Sequence, residues 1–95
     1  MMRLNLFQQL DSLNYKIKLA TEDLMKVRLD YERLKNKAWL ETDFKTEGCT
    51  NDKQRTAYVN NITEDLKEKL RSKEAELEFL KREYEILKLK VEELE

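Results

Sequence analysis

From Leu6 to Ala38 the apolar residues recur in alternating steps of four and three: Leu6, Leu10, Leu13, Ile17, Ala20, Leu24, Val27, Tyr31, Leu34 and Ala38. This is the a/d seam of a heptad repeat, sustained long enough to predict coiled-coil packing of a helix. Alternation with period two never persists, so strands are excluded. The seam stops at Glu41. A second one follows through Val59, Ile62, Leu66, Leu70, Lys73, Leu77, Leu80, Tyr84, Leu87, Val91 and Leu94. Its opening steps through Ile62 imply a four-residue stutter before Leu70, where a supercoil would relax. Lys73 occupies a core position. Its stem can lie on apolar surface while its ammonium reaches water, and an antiparallel partner is expected to set Ala20 opposite it, so the lysine fixes register.

Between the seams lies TDFKTEGCTND, residues 42 to 52, which holds the only glycine and the only cysteine; the chain has no proline. Gly48 suits a positive φ that neither helix would tolerate. Thr50 or Asn51 is placed to cap the second helix. Asn51 with Gln54 approximates a capping box, and Asp52 in the first turn complements the helix dipole. The pattern predicts one helix over about 3–40, a hinge over about 41–50 and a second helix over about 51–93, a single helical hairpin across the chain.

Neither helix can hide its apolar seam alone. An antiparallel hairpin within the chain and an extended rod paired with a second molecule both satisfy the pattern. Equal lengths favour the hairpin. So does charge: residues 1–40 carry eight Lys/Arg against five Asp/Glu, and residues 51–95 carry ten against twelve. The second helix shows a further ridge, Ala75, Phe79, Ile86 and Leu89, with looser extras Leu4, Phe7, Leu19 and Leu29 on the first. Phe79 and Ile86 are one heptad apart and share a face. The expected fold is therefore all-α: an antiparallel two-helix coiled-coil hairpin that dimerises into a four-helix bundle.

Composition narrows the function classes. The chain is 41% charged and 40% hydrophobic with a net charge of −1, the make-up of long helices and not of a chain drawn to nucleic acid by its overall field. No apolar run exceeds three residues, so no membrane partner and no signal peptide are expected, and a cytoplasmic protein follows. With no histidine and one cysteine, a Cys/His zinc site is excluded, and Cys49 is read as a reduced bystander thiol. No phosphate-cradling glycine loop and no nucleophile with an evident base is present. The reading is a non-enzyme without cofactor.

The hinge end is chemically richer. Trp39, Phe44 and Tyr58 lie near Lys45, Lys53 and Arg55. Aromatics interleaved with basic residues can stack bases and pair phosphates of a single strand. The competing reading packs Trp39 and Phe44 beneath the connection, and Glu41, Asp43, Glu47 and Asp52 would blunt a basic patch. Arg55, in the first turn of the second helix, is within reach of Asp43 or Glu47, which would lock the hinge.

The segment TDFKTEGCTNDKQRTAYV, residues 42 to 59, resembles a stretch in short helical proteins encoded by bacteriophages and prophages of Gram-positive bacteria. The matching positions are Thr42, Asp43, Phe44, Gly48, Thr50, Asn51, Lys53, Arg55, Ala57, Tyr58 and Val59. The resemblance implies a bacterial cytoplasm and a role accessory to DNA metabolism. The function expected is thus a protein-protein adaptor or inhibitor that self-associates through Ala75, Phe79, Ile86 and Leu89 and engages a host or phage protein through its hinge end or an exposed helix face. A single-stranded nucleic-acid binder using Trp39, Phe44, Lys45, Lys53, Arg55 and Tyr58 is the alternative, and a structural coiled-coil spacer the third.

Overall fold

The computed structural model describes residues 2–94, with side-chain surroundings from residue 5 onward; Leu4 lies outside the latter. Two helices make up the fold, α1 (Met2–Glu41) and α2 (Asp52–Glu93), with no strand among the described residues. Leu and Lys lead in α1, and Glu, Leu and Lys in α2, and no glycine or proline interrupts either, so intrinsic preference and heptad pattern agree. The chain folds back as an all-α helical hairpin. It packs as two compact units, Met1–Leu24 with Ser72–Glu95, and Met25–Arg71.

In the first unit, Ala20 and Leu24 of α1 are buried, as are Leu77 and Val91 of α2; the remaining seam residues from Leu6 to Leu87 are half-buried. Two shallow clefts show the antiparallel sense. One is lined by Lys16, Ala20 and Asp23 beside Glu76 and Leu80, the other by Gln9 and Leu13 beside Glu83 and Leu87. Ascending numbers on α1 meet descending numbers on α2. Lys73 is half-buried at its seam position, and its Nζ lies 3.9 Å from Asp23 Oδ2 and 3.8 Å from Glu76 Oε2. The stem is packed and the ammonium faces outward, as a lysine on a coiled-coil seam requires. Its cross-helix partner is Asp23, one turn along from Ala20. Such an exposed pair adds little stability, and it favours one register over its neighbours.

In the second unit the buried residues are Val27 and Ala38 of α1, Val59 and Thr63 of α2, and Cys49 between them. The expected use of Ile62 is not what the fold adopts. Thr63 is 1% exposed and Ile62 39%. With Thr63 in the seam the steps from Val59 through Thr63, Leu66 and Leu70 are four, three and four, so the heptad is unbroken and the stutter vanishes. The hydroxyl survives burial because Thr63 Oγ1 donates to Val59 O at 2.9 Å, satisfying itself one turn back. Leu94 is also displaced from the expected seam: it follows the end of α2, is half exposed, and its N–H donates to Val91 O at 3.1 Å.

Candidate partner-binding faces

Residues 43–49 form a tight hydrogen-bonded turn with its own two caps. Asp43 opens it: its Oδ2 accepts from Thr46 Oγ1 at 2.6 Å and its Oδ1 from Thr46 N at 3.3 Å. Those bonds hold the Asp43 carboxyl below the usual aspartate range, with the Thr46 hydroxyl as the largest cause. The turn then closes through Cys49 N to Phe44 O at 2.7 Å and Gly48 N to Lys45 O at 3.1 Å. This nested pair is the Schellman arrangement, which demands a left-handed residue at Gly48. Gly48 has φ +77°, as the sequence predicts. Cys49 follows as the buried residue after the glycine, its thiol free and 3.9 Å from Glu47 O.

The start of α2 is capped by Asn51, whose Oδ1 accepts from Gln54 N at 2.9 Å while its carbonyl accepts from Arg55 N at 3.1 Å. Gln54 reaches back one residue further than a standard capping box, taking Thr50 N at 2.7 Å and Thr50 Oγ1 at 3.0 Å through Oε1. Asp43, Thr46, Gly48, Thr50 and Asn51 of the hinge are therefore accounted for by chain reversal.

The aromatic residues meet in a row. Phe44 lies between Trp39, at 5.6 Å between centroids and tilted 53°, and Tyr58, at 6.0 Å and edge-on at 81°. Edge-to-face packing of this kind is favourable by about 1 kcal/mol beyond area burial. The Arg55 guanidinium lies over Phe44, 5.9 Å from its centroid, and NH1 is 3.7 Å from Asp52 Oδ1. The expected reach to Asp43 or Glu47 is thus replaced by a cation-π contact and a pair within α2. The Asp43 oxygens are already engaged by Thr46, which removes the pull that proximity in sequence suggested. Arg55 Nε is enclosed without a hydrogen-bond partner. Lys45 and Lys53 are exposed, as are Glu41, Asp43, Glu47 and Asp52 around them. Among the six hinge candidates, then, Trp39, Phe44, Tyr58 and Arg55 form one cluster, and Lys45 and Lys53 are exposed.

The ridge on α2 lies in the first unit. Ala75 is exposed, and Phe79, Ile86 and Leu89 are 62%, 55% and 57% exposed. The steps from Ala75 through Phe79, Arg82, Ile86 to Leu89 alternate four and three, so this is a second heptad stripe, turned away from the buried seam. On α1, Tyr15 and Leu19 are exposed in the same unit, and Met25 and Leu29 line a surface dimple in the other. Among the described residues no cluster of three or more His, Cys, Asp or Glu is placed to hold a metal ion, and no helix is long and apolar enough to cross a membrane. No protein-family model matches the chain, and no curated protein or solved structure does.

Proposed function

We propose that this chain is a non-enzymatic protein-protein interaction module, a helical hairpin that presents the outer face of α2 to another protein. The observation that carries this reading is the stripe of Phe79, Ile86 and Leu89, three large apolar side chains each more than half exposed and in heptad spacing. A helix that needed only to pair with α1 would gain nothing from them. Isolated exposed apolar residues are ordinary, whereas large apolar residues repeating along one helix face suit an interaction surface. The hinge supports this choice from the other side: its distinctive residues are engaged in capping and in the Trp39–Phe44–Tyr58 row, whereas the α2 stripe has no such intramolecular role. The resemblance of residues 42 to 59 to phage proteins is what supports a bacterial cytoplasm as the setting and a role as an adaptor or inhibitor accessory to DNA metabolism.

The test compares two double variants in affinity capture from a lysate of a Gram-positive host. Phe79→Glu with Ile86→Glu should lose captured proteins while helicity by circular dichroism is retained. Phe44→Ala with Arg55→Ala should keep them as long as the hairpin stays folded. The opposite pattern would return the binding role to the hinge.

A second reading, single-stranded nucleic-acid binding, keeps one favourable observation: Trp39 is 37% exposed, with exposed Lys45 and Lys53 in the same segment. It requires quenching of Trp39 fluorescence by oligonucleotides, weakening steeply with added salt. A flat titration at low salt removes it.

A further inference from the structure

The α2 stripe is flanked almost wholly by carboxylates. Glu78, Glu85 and Glu92 run along one side, and Glu76 and Glu83 along the other, all exposed. Arg82 within the stripe, Lys81 beside Ile86 and Lys90 at its end are the basic residues of this face, fewer than the five glutamates. Two copies of the face laid together, parallel or antiparallel, would place glutamates against glutamates. Positions flanking a heptad seam set partner choice in this way, and like charges there oppose pairing.

Area points the same direction. An aromatic side chain offers about 150–250 Å² and aliphatic ones somewhat less, so the exposed fractions of Phe79, Ile86 and Leu89 amount to roughly 300 Å². A standard stable interface takes about 800 Å² from each partner. The three apolar side chains alone supply less than half of that, and the charge of their flanks works against pairing two copies. The stripe suits a transient contact in which apolar residues seat the partner and charge selects it.

We propose that the outer face of α2 is a docking site for a basic amphipathic helix of another protein, one whose apolar seam is flanked by Lys or Arg. The partner's seam covers Phe79, Ile86 and Leu89. Its basic flanks pair with Glu83 on one side and with Glu78 and Glu85 on the other, Glu76 being already paired with Lys73. This deepens the interaction-module reading and rests on it. It also assigns the ridge to a partner other than a second copy of the same face, replacing the dimer that hydropathy alone suggests.

The experiment uses the full chain and two synthetic four-heptad peptides with Leu and Ile at the seam positions. One carries Lys at both flanking positions, the other Glu. Fluorescence anisotropy of each labelled peptide is measured at low and at moderate salt, against the native chain and against Phe79→Glu/Ile86→Glu. The Lys-flanked peptide should bind at least about tenfold more tightly than its twin, and the preference should shrink with salt. The double variant should lose about tenfold or more although it carries two additional negative charges, which separates seating on the stripe from bulk attraction. Because both positions are exposed, its helicity should match the native chain, and Glu83→Lys/Glu85→Lys provides a second test by reversing the peptide preference.

Equal binding of the two peptides with dependence on Phe79 and Ile86 retained would overturn the basic-partner assignment and leave the interaction reading intact. A native chain that binds neither peptide but forms a dimer, split by the double variant, would overturn it in favour of a second copy. Peptide binding and oligomeric state both indifferent to Phe79 and Ile86 would overturn the interaction reading itself.

Discussion

Replacing Gly48 by alanine isolates the energetics of the chain reversal. The residue sits at φ +77°, where an L side chain is strained, and a Cβ built there would meet nothing within 4 Å. No steric clash with the rest of the protein therefore contributes. What remains is the intrinsic cost of placing alanine in the left-handed region, about 1–2 kcal/mol. Part of that is offset because alanine restricts the unfolded chain more than glycine does, by about 0.4–1 kcal/mol. The net expectation is a loss of about 1 kcal/mol, which for a chain of this size lowers the thermal midpoint by roughly 4–8 °C. Asparagine tolerates the same conformation better, so Gly48→Asn should fall between native and alanine. Denaturant titration followed by circular dichroism, with the slope unchanged, measures both. Alanine equal to native would mean that Gly48 is not left-handed in solution and that the Schellman turn is absent. A loss above about 3 kcal/mol would mean that the site is crowded, contrary to the open space around it.

Three further outcomes follow from the same geometry. Asn51→Ala should cost about 1 kcal/mol and Gln54→Ala less, with the double variant less than additive because both act on one cap; a double-mutant cycle in denaturant measures the coupling. Ile62→Ser should change stability by less than about 1 kcal/mol, whereas Thr63→Asp should cost more than about 2 kcal/mol by burying a charge in the seam, both read by thermal melts. The Asp43 carboxyl should titrate below the usual aspartate range in an NMR titration, and Thr46→Ala should move it upward. Since its folded pKa is depressed, whatever it contributes to stability is present above the unfolded aspartate pKa and disappears as pH falls through the folded value.

The two seams were legible because heptad spacing reports directly which side of a helix is covered. All ten α1 positions from Leu6 to Ala38 proved buried or half-buried. The failure at Ile62 has a specific cause. Hydropathy ranks isoleucine above threonine, yet register is set by the whole run from Thr63 to Val91, and a buried threonine can satisfy its hydroxyl on the carbonyl one turn back. The unbroken step of four from Val59 was the signal that could have found it. At the hinge, the glycine and the Asn51 cap were readable from residue type. The internal turn was not, although Asp43 three residues before Thr46 and five before Gly48 encodes both of its ends. Arg55 was misplaced because sequence proximity to Asp43 says nothing about which donors that carboxylate already serves. The acidic flanks of the α2 stripe were visible in the sequence all along. They became informative only once burial showed which face of α2 is free.

A single chain that reverses at Gly48 lays α2 antiparallel on α1 and leaves the outer face of α2 uncovered. Spin labels at Ser12→Cys and Glu83→Cys, in a Cys49→Ala background, test it most directly, because both residues line one cleft of the first unit. The hairpin requires a label separation of about 20 Å, set by helix packing of about 8–10 Å plus two label arms, and unchanged when labelled chains are diluted with unlabelled ones. An unfolded-back rod would separate the labels by about 100 Å along the helix direction, at 1.5 Å per residue. That distance, or a short one that vanishes on dilution, would contradict the hairpin.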